Sequence, residues 1–152
     1  MVKEEARQLL NQLIQIEHIS TTLHLAMLAY LDRKNYTGIA KWLRLQSEEE
    51  RTHMLTLIDF LTGKDGIVKL SDVPQQPSDF GTPLEIFKKV LEHEQYVTNA
   101  YGQAYHYITQ VDPQTTVIVL EFFREQIDEE AQTLTIVERL KSANNTPSAL
   151  LH

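Results

Sequence analysis

Four stretches of this chain repeat apolar residues at alternating three- and four-residue steps, and glycine- and proline-bearing breaks separate them. That spacing is the seam of a helix packed in a bundle, so the chain is expected to be all-α and a single domain over 1–152. The first helix is predicted over about 3–33 and ends at Lys34-Asn35-Tyr36-Thr37-Gly38, a connection short enough for antiparallel neighbours. The second is predicted over 39–62, with Gly63 as its C′ residue. Thr82-Pro83-Leu84-Glu85 places a Thr N-cap, a Pro at N1 and a Glu at N3, the reciprocal capping box, and opens a third helix over 83–110. Asp112-Pro113 repeats the cap-plus-proline signal for a fourth over 114–142, which Asn144-Asn145-Thr146-Pro147 stops.

The connection over 63–81 holds three glycines and two prolines. About 19 residues of loop stretch to about 60 Å, whereas a helix of about 25 residues spans roughly 38 Å. The loop can therefore travel the length of the bundle, leaving the second and third helices parallel. The alternative is a flexible insertion in a plain up-and-down bundle.

Of the 152 residues, 14 are Lys or Arg and 21 are Asp or Glu, a net charge of −7. This balance disfavours nucleic acid and favours a cation as partner. There is no cysteine, which rules out thiolate metal sites and disulfides and fits a reducing compartment. Met1-Val2-Lys3-Glu4-Glu5 lacks the apolar run of a signal peptide, and no run of about 18 apolar residues suggests a membrane span, so a cytoplasmic protein is expected.

The seams carry polar exceptions. The first reads Leu10, Leu13, Glu17, Ser20, His24, Met27, Leu31, and the second Ile39, Leu43, Gln46, Glu50, His53, Leu57, Phe60. The third reads Leu84, Phe87, Leu91, Glu94, Thr98, Tyr101, Tyr105, Ile108, and the fourth Val119, Phe122, Gln126, Glu129, Thr133, Ile136, Leu140. Each helix has a carboxylate near its middle, so in a bundle the four meet at one level. Burying four carboxylates together costs many kcal/mol unless positive charge sits between them, and two divalent cations supply it. Glu17, Glu50, Glu94 and Glu129 are thus candidate ligands, with His53 as a nitrogen donor and Gln126 as a weak oxygen donor. Glu50 with His53, and Gln126 with Glu129, are three apart and share a helix face. Glu17 precedes Glu50 by 33 positions and Glu94 precedes Glu129 by 35, as if each helix pair gave one half-site.

Taken together, Glu17, Glu50-Arg51-Thr52-His53, Glu94 and Gln126-Ile127-Asp128-Glu129-Glu130, with the long loop after the second helix, resemble the non-haem bacterial ferritins over essentially the whole chain. The likeness implies a ferritin-like four-helix bundle with a crossover between helices two and three. It implies a ferroxidase centre in which Glu17, Glu50 and His53 bind one iron and Glu50 bridges to a second held by Glu94, Gln126 and Glu129. It also implies a candidate third iron site at Glu49, Glu125, Asp128 and Glu129, although a run of acids is more often a solvated face. Bacterioferritins carry a second Glu-x-x-His in the fourth helix and a haem-ligating methionine beside the bridging glutamate. Gln126-x-x-Glu129 and Arg51 stand there, so haem is not expected. Mini-ferritins build their site between subunits and rubrerythrins add a cysteine-ligated iron domain, neither of which suits this chain.

The chain departs from the resembled pattern at two aromatic positions. His24 stands where a tyrosine is usual and Glu121 where a tryptophan is usual, which leaves their roles beside the metal ligands open. His24 is expected to hydrogen-bond Glu94, to join the metal shell, or to be a core histidine satisfied by Ser20 or a backbone carbonyl. Thr146-Pro147-Ser148-Ala149-Leu150-Leu151-His152 stands where a short fifth helix usually begins, which questions how a 24-subunit cage of the resembled kind would close. The function expected is an iron store with ferroxidase activity, taking Fe(II) and dioxygen or hydrogen peroxide in a homo-oligomer. The rivals are a diiron or dimanganese oxidase or peroxidase without storage, and a metal-free helical interaction module.

Overall fold

In a computed structural model, residues 2–143 are described. Four helices account for most of them: α1 (Glu4–Arg33), α2 (Thr37–Gly63), α3 (Pro83–Ile108) and α4 (Pro113–Ser142). The region Thr146 to His152, where a shortened fifth helix is in question, lies outside the described residues.

The local signals act where they stand in the sequence. The Thr82 side chain accepts from the Glu85 amide while the Glu85 carboxylate accepts from the Thr82 amide, and Asp112 caps α4 through the Gln114 amide. The end of α2 differs from expectation, because Gly63 is its last helical residue and Asp65 takes the left-handed conformation instead, at φ 59°. Gly66 N–H then bonds Leu61 O at 2.9 Å and Asp65 N–H bonds Thr62 O at 3.0 Å, the paired closure of a Schellman motif. Gly66 is the glycine this turn requires, since a Cβ there would lie 2.3 Å from Leu61 Cδ1. Asn35, at φ 66°, closes α1 by the same two bonds, to Leu31 and Asp32. The α3 helix ends at Ile108, two residues earlier than its periodicity suggests.

The helices pair as α1 with α2 and α3 with α4. The connection between the pairs runs along α1, as its hydrogen bonds show. Asn11 bonds Ile67 O and accepts from Lys69 N–H, Gln15 donates to Asp72 O, and Tyr30 O–H donates to Gly81 O at 2.7 Å. Between Asn11 and Tyr30 the loop therefore climbs roughly 28 Å at 1.5 Å per helical residue. Buried Phe80 anchors its far end edge-on to Tyr30. The connection is thus a crossover, and α3 starts at the end of the bundle where α2 also starts.

The core falls into two apolar clusters. One holds Leu10, Leu13, Leu57, Leu61, Tyr101, Ile108, Val119 and Phe122 among others; the second holds Met27, Leu31, Leu43, Phe87, Val90, Val137 and Leu140. Between them lies a buried polar layer that includes Glu17, Ser20, Thr21, His24, Ser47, Glu50, Glu94, Gln126, Glu129 and Thr133. Since the two clusters carry the fold, Leu10→Ala, at a fully buried site, is expected to destabilise the protein by about 2–5 kcal/mol. Denaturant unfolding of the metal-free protein measures this; a change under about 1 kcal/mol would contradict the packing.

Candidate metal centre

All four mid-seam glutamates are buried, none more than 7% exposed, and they come from four different helices. Glu17 is held by Tyr101, whose hydroxyl donates to Glu17 Oε1 at 2.7 Å. Glu94 is held by Gln126, whose amide nitrogen donates to Glu94 Oε2 and to the Glu94 carbonyl. Glu129 Oε2 is buried with no hydrogen-bond partner. An orphaned carboxylate oxygen of this kind costs about 1–3 kcal/mol or more, which a cation at the site would offset.

His53, from α2, faces the same layer. Its Nδ1 lies 3.7 Å from Glu17 Oε1 and its Nε2 lies 2.6 Å from Glu125 Oε2. Burial alone would lower its pKa, but the hydrogen bond and charge of Glu17, with the charges of Glu129 and Glu125, override this and raise it to about 9. Burial pushes the Glu129 carboxyl up to about 9, helped by Glu94 and Glu50. Glu50 and Glu94 are also raised, first by burial; Glu94 and Glu17 raise Glu50 further. The metal-free layer thus retains protons that a metal would displace.

His24 is completely buried and turns to Glu50. Its Nδ1 is 2.6 Å from Glu50 Oε2, whereas its Nε2 is 3.9 Å from Glu94 Oε1, too long for the hydrogen bond to Glu94 that the sequence suggested. The Ser20 hydroxyl lies 2.6 Å from His93 Nε2, while the Ser20 backbone carbonyl hydrogen-bonds the His24 ring, as the core-histidine alternative expected. Burial pushes the His24 imidazole below its usual value and so keeps it neutral. His24, Glu50 and Glu94 form a metal-sized group, each offering a ligand atom within 4.8 Å of the others.

An open cleft of about 750 Å³ between α2 and α4 reaches this layer. Its walls include Glu49, His53, Glu121, Glu125, Asp128 and Glu129. The residues considered for a third site, together with Glu121, therefore share one acidic approach to His53 and Glu129. Sequence reasoning passed over two participants. Tyr101 was placed on the seam without its bond to Glu17, and His93, adjacent to Glu94, was not singled out at all. Its neighbour in sequence was the available signal. Tyr101→Phe keeps the ring in the apolar cluster but frees Glu17, and its expected cost is about 1–3 kcal/mol together with weaker binding of one metal ion. Calorimetric titration with Zn(II) measures the second effect, and unchanged affinity would show that Tyr101 does not position Glu17.

Four helices joined by one long crossover, with a buried carboxylate from each in a shared layer, define a ferritin-like four-helix bundle. Residues 7–143 match the Ferritin-like domain, and the chain belongs to that family. Among its relatives are the bacterial non-heme ferritin of Bacteroides fragilis (strain 638R), 33% identical over 95% of this chain and 92% of that protein, and that of Campylobacter jejuni, 31% identical over 93% and 85%. Among solved structures, the open pore ferritin of the hyperthermophilic archaeon Archaeoglobus fulgidus superposes with a TM-score of 0.92 at 34% identity, covering 99% of this chain and 94% of that one. No helix among the described residues is long and apolar enough to cross a membrane.

Proposed function

We propose that this chain is a ferroxidase and iron-storage ferritin that binds two Fe(II) ions in its polar layer. The observation that carries the reading is the layer itself: four buried carboxylates from four helices, one with an orphaned oxygen, set between two apolar clusters. In this reading Glu17, Glu50 and His53 hold one ion, while Glu94, Gln126 and Glu129 hold the other with Glu50 shared. Each ion gives one electron, and the pair reduces dioxygen or hydrogen peroxide. Carboxylate oxygens suit the product because hard donors stabilise Fe(III). The tyrosine- and histidine-held geometry means that little rearrangement is needed when ions arrive.

Fe(II) reaches the layer through the acidic cleft, where Glu49, Glu121, Glu125 and Asp128 attract cations towards His53 and Glu129. Ferric product passes to a mineral held inside a homo-oligomeric cage. An oxidase of small organic molecules would require an apolar pocket beside the ions, and this cleft is rimmed by carboxylates.

Anaerobic titration followed by air tests the proposal. We expect two Fe(II) bound per chain, ferric absorbance on adding oxygen, and iron that co-elutes with a high-mass assembly on a sizing column. Absence of Fe(II) binding would favour the interaction module. Oxidation without retained iron would favour a diiron oxidase, and a dimer as the largest species would remove the storage cage.

A further inference from the structure

We propose that His24 is itself a metal ligand, its Nε2 joining Glu94 on the second ion so that each of the two ions carries one histidine nitrogen. This rests on the two-ion reading above and adds a ligand to it. His24 is completely buried, and its Nε2 has no hydrogen-bond partner. That nitrogen faces Glu94 Oε1 at 3.9 Å, while Gln126 engages the other Glu94 oxygen. A buried ring nitrogen left without a hydrogen-bond partner is unfavourable, and an ion between it and Glu94 would offset that cost. The separation has the right size for this, because two metal-ligand bonds of about 2.1 Å each span it at an open angle.

The other ring nitrogen is already engaged: His24 Nδ1 lies 2.6 Å from Glu50 Oε2, which leaves Nε2 as the nitrogen without a partner. The His93 ring packs edge-on to His24 at 6.3 Å between centroids, itself tied to Ser20, and limits rotation of the imidazole. The chemical consequence concerns which ion is retained. A second imidazole makes the pair of sites less exclusively oxygen-donating, and so better suited to divalent ions of intermediate softness such as Fe(II), Co(II) or Zn(II) than carboxylates alone.

The test uses the full protein in its native assembly, loaded anaerobically with Co(II) at two ions per chain and examined by X-ray absorption. Imidazole scattering is expected to report about one histidine per cobalt in the wild type, falling to about one half in His24→Gln and also in His53→Gln. Co(II) affinity at one of the two positions is expected to fall at least about tenfold in His24→Gln, the low end of losses seen even for outer partners of a metal site. About one half imidazole per cobalt in the wild type, unchanged by His24→Gln, would overturn the assignment while leaving the two-ion site standing. Absence of bound Co(II) in the wild type would instead overturn the proposed function together with this inference. The wild-type count requires no variant to fold, and circular dichroism checks the variants.

Discussion

Glu50→Ala is expected to slow ferrous oxidation by more than about a hundredfold, beyond the 10–100-fold loss typical of partners that only support a ligand. In the proposed two-ion site Glu50 is the carboxylate the two half-sites share. His24 Nδ1 reaches it at 2.6 Å, and the charges of Glu94 and Glu17 bear on it directly. Without it, neither Glu17 with His53 nor Glu94 with Glu129 completes a site, so both ions lose affinity together. The fold should survive, because the apolar clusters on either side contribute none of their packing through Glu50. Stopped-flow absorbance after mixing with oxygenated buffer gives the rate, and anaerobic titration gives the stoichiometry. A variant that oxidises Fe(II) within a few-fold of wild type would place the chemistry elsewhere.

The architecture was legible because local signals and the global pattern agree in this chain. Thr82-Pro83-Leu84-Glu85 and Asp112-Pro113 start helices by hydrogen bonds that neighbouring residues complete without outside help. The end of α2 was less legible, since both Gly63 and Gly66 were available and the left-handed position fell to Asp65 between them. What distinguishes Gly66 is the approach of Leu61, a contact that exists only after the turn has formed.

Periodicity fixed every seventh position of α3 and missed those between. Phe87, Glu94, Tyr101 and Ile108 are buried as expected, but the interleaved core positions are Val90, Val97 and Ala104 rather than Leu91, Thr98 and Tyr105. Both a three- and a four-residue step keep a seam, and the larger side chains Leu91 and Tyr105 drew the assignment to the wrong neighbour. Leu91 and Tyr105 still pack against the core clusters, partly buried at their edge. In α2 and α4 the same ambiguity put Phe60 and Ile136 on the seam where Leu61 and Val137 are buried.

The acids of the centre were legible for a different reason. Each is a polar breach in an apolar stripe, and such breaches require partners. The identity of those partners was not. Sequence spacing places His24 on the face towards the core, but whether its nitrogens reach Glu50 or Glu94 depends on side-chain rotation that spacing does not encode. Likewise Glu125 was read as a candidate ligand of a third iron site, and its place 2.6 Å from His53 Nε2 was not foreseen.

Metal binding should reverse the pH dependence of stability between about pH 6.5 and 9. In the metal-free fold His53 is raised from 6.5 to about 9 and Glu129 from 4.5 to about 9. Across this window the folded chain therefore holds protons that the unfolded chain has released, and linkage makes stability fall as pH rises. The contribution of His53 is complete below its unfolded value and is gone above about 9; Glu129 meanwhile changes from a neutral buried acid to a buried charge. His93, pushed down to about 4 chiefly by burial, and His24, also lowered by burial, act with the opposite sign, but the unfolded imidazoles release their protons around 6.5, so this opposition fades within about one pH unit above it. Zn(II) competes with those same protons, so its addition at pH 7 is expected to release at least two per chain, from His53 and Glu129. Thermal midpoints of the metal-free protein should drop steadily from pH 6.5 to 9, whereas the Zn(II)-loaded protein should hold level or gain as proton competition weakens. Proton release followed with an indicator dye in weak buffer, alongside the two melting series, measures both effects. A metal-free midpoint that stays level through this window, together with binding that releases no protons, would mean that Glu129 is already ionised and that the fold stabilises its charge without metal.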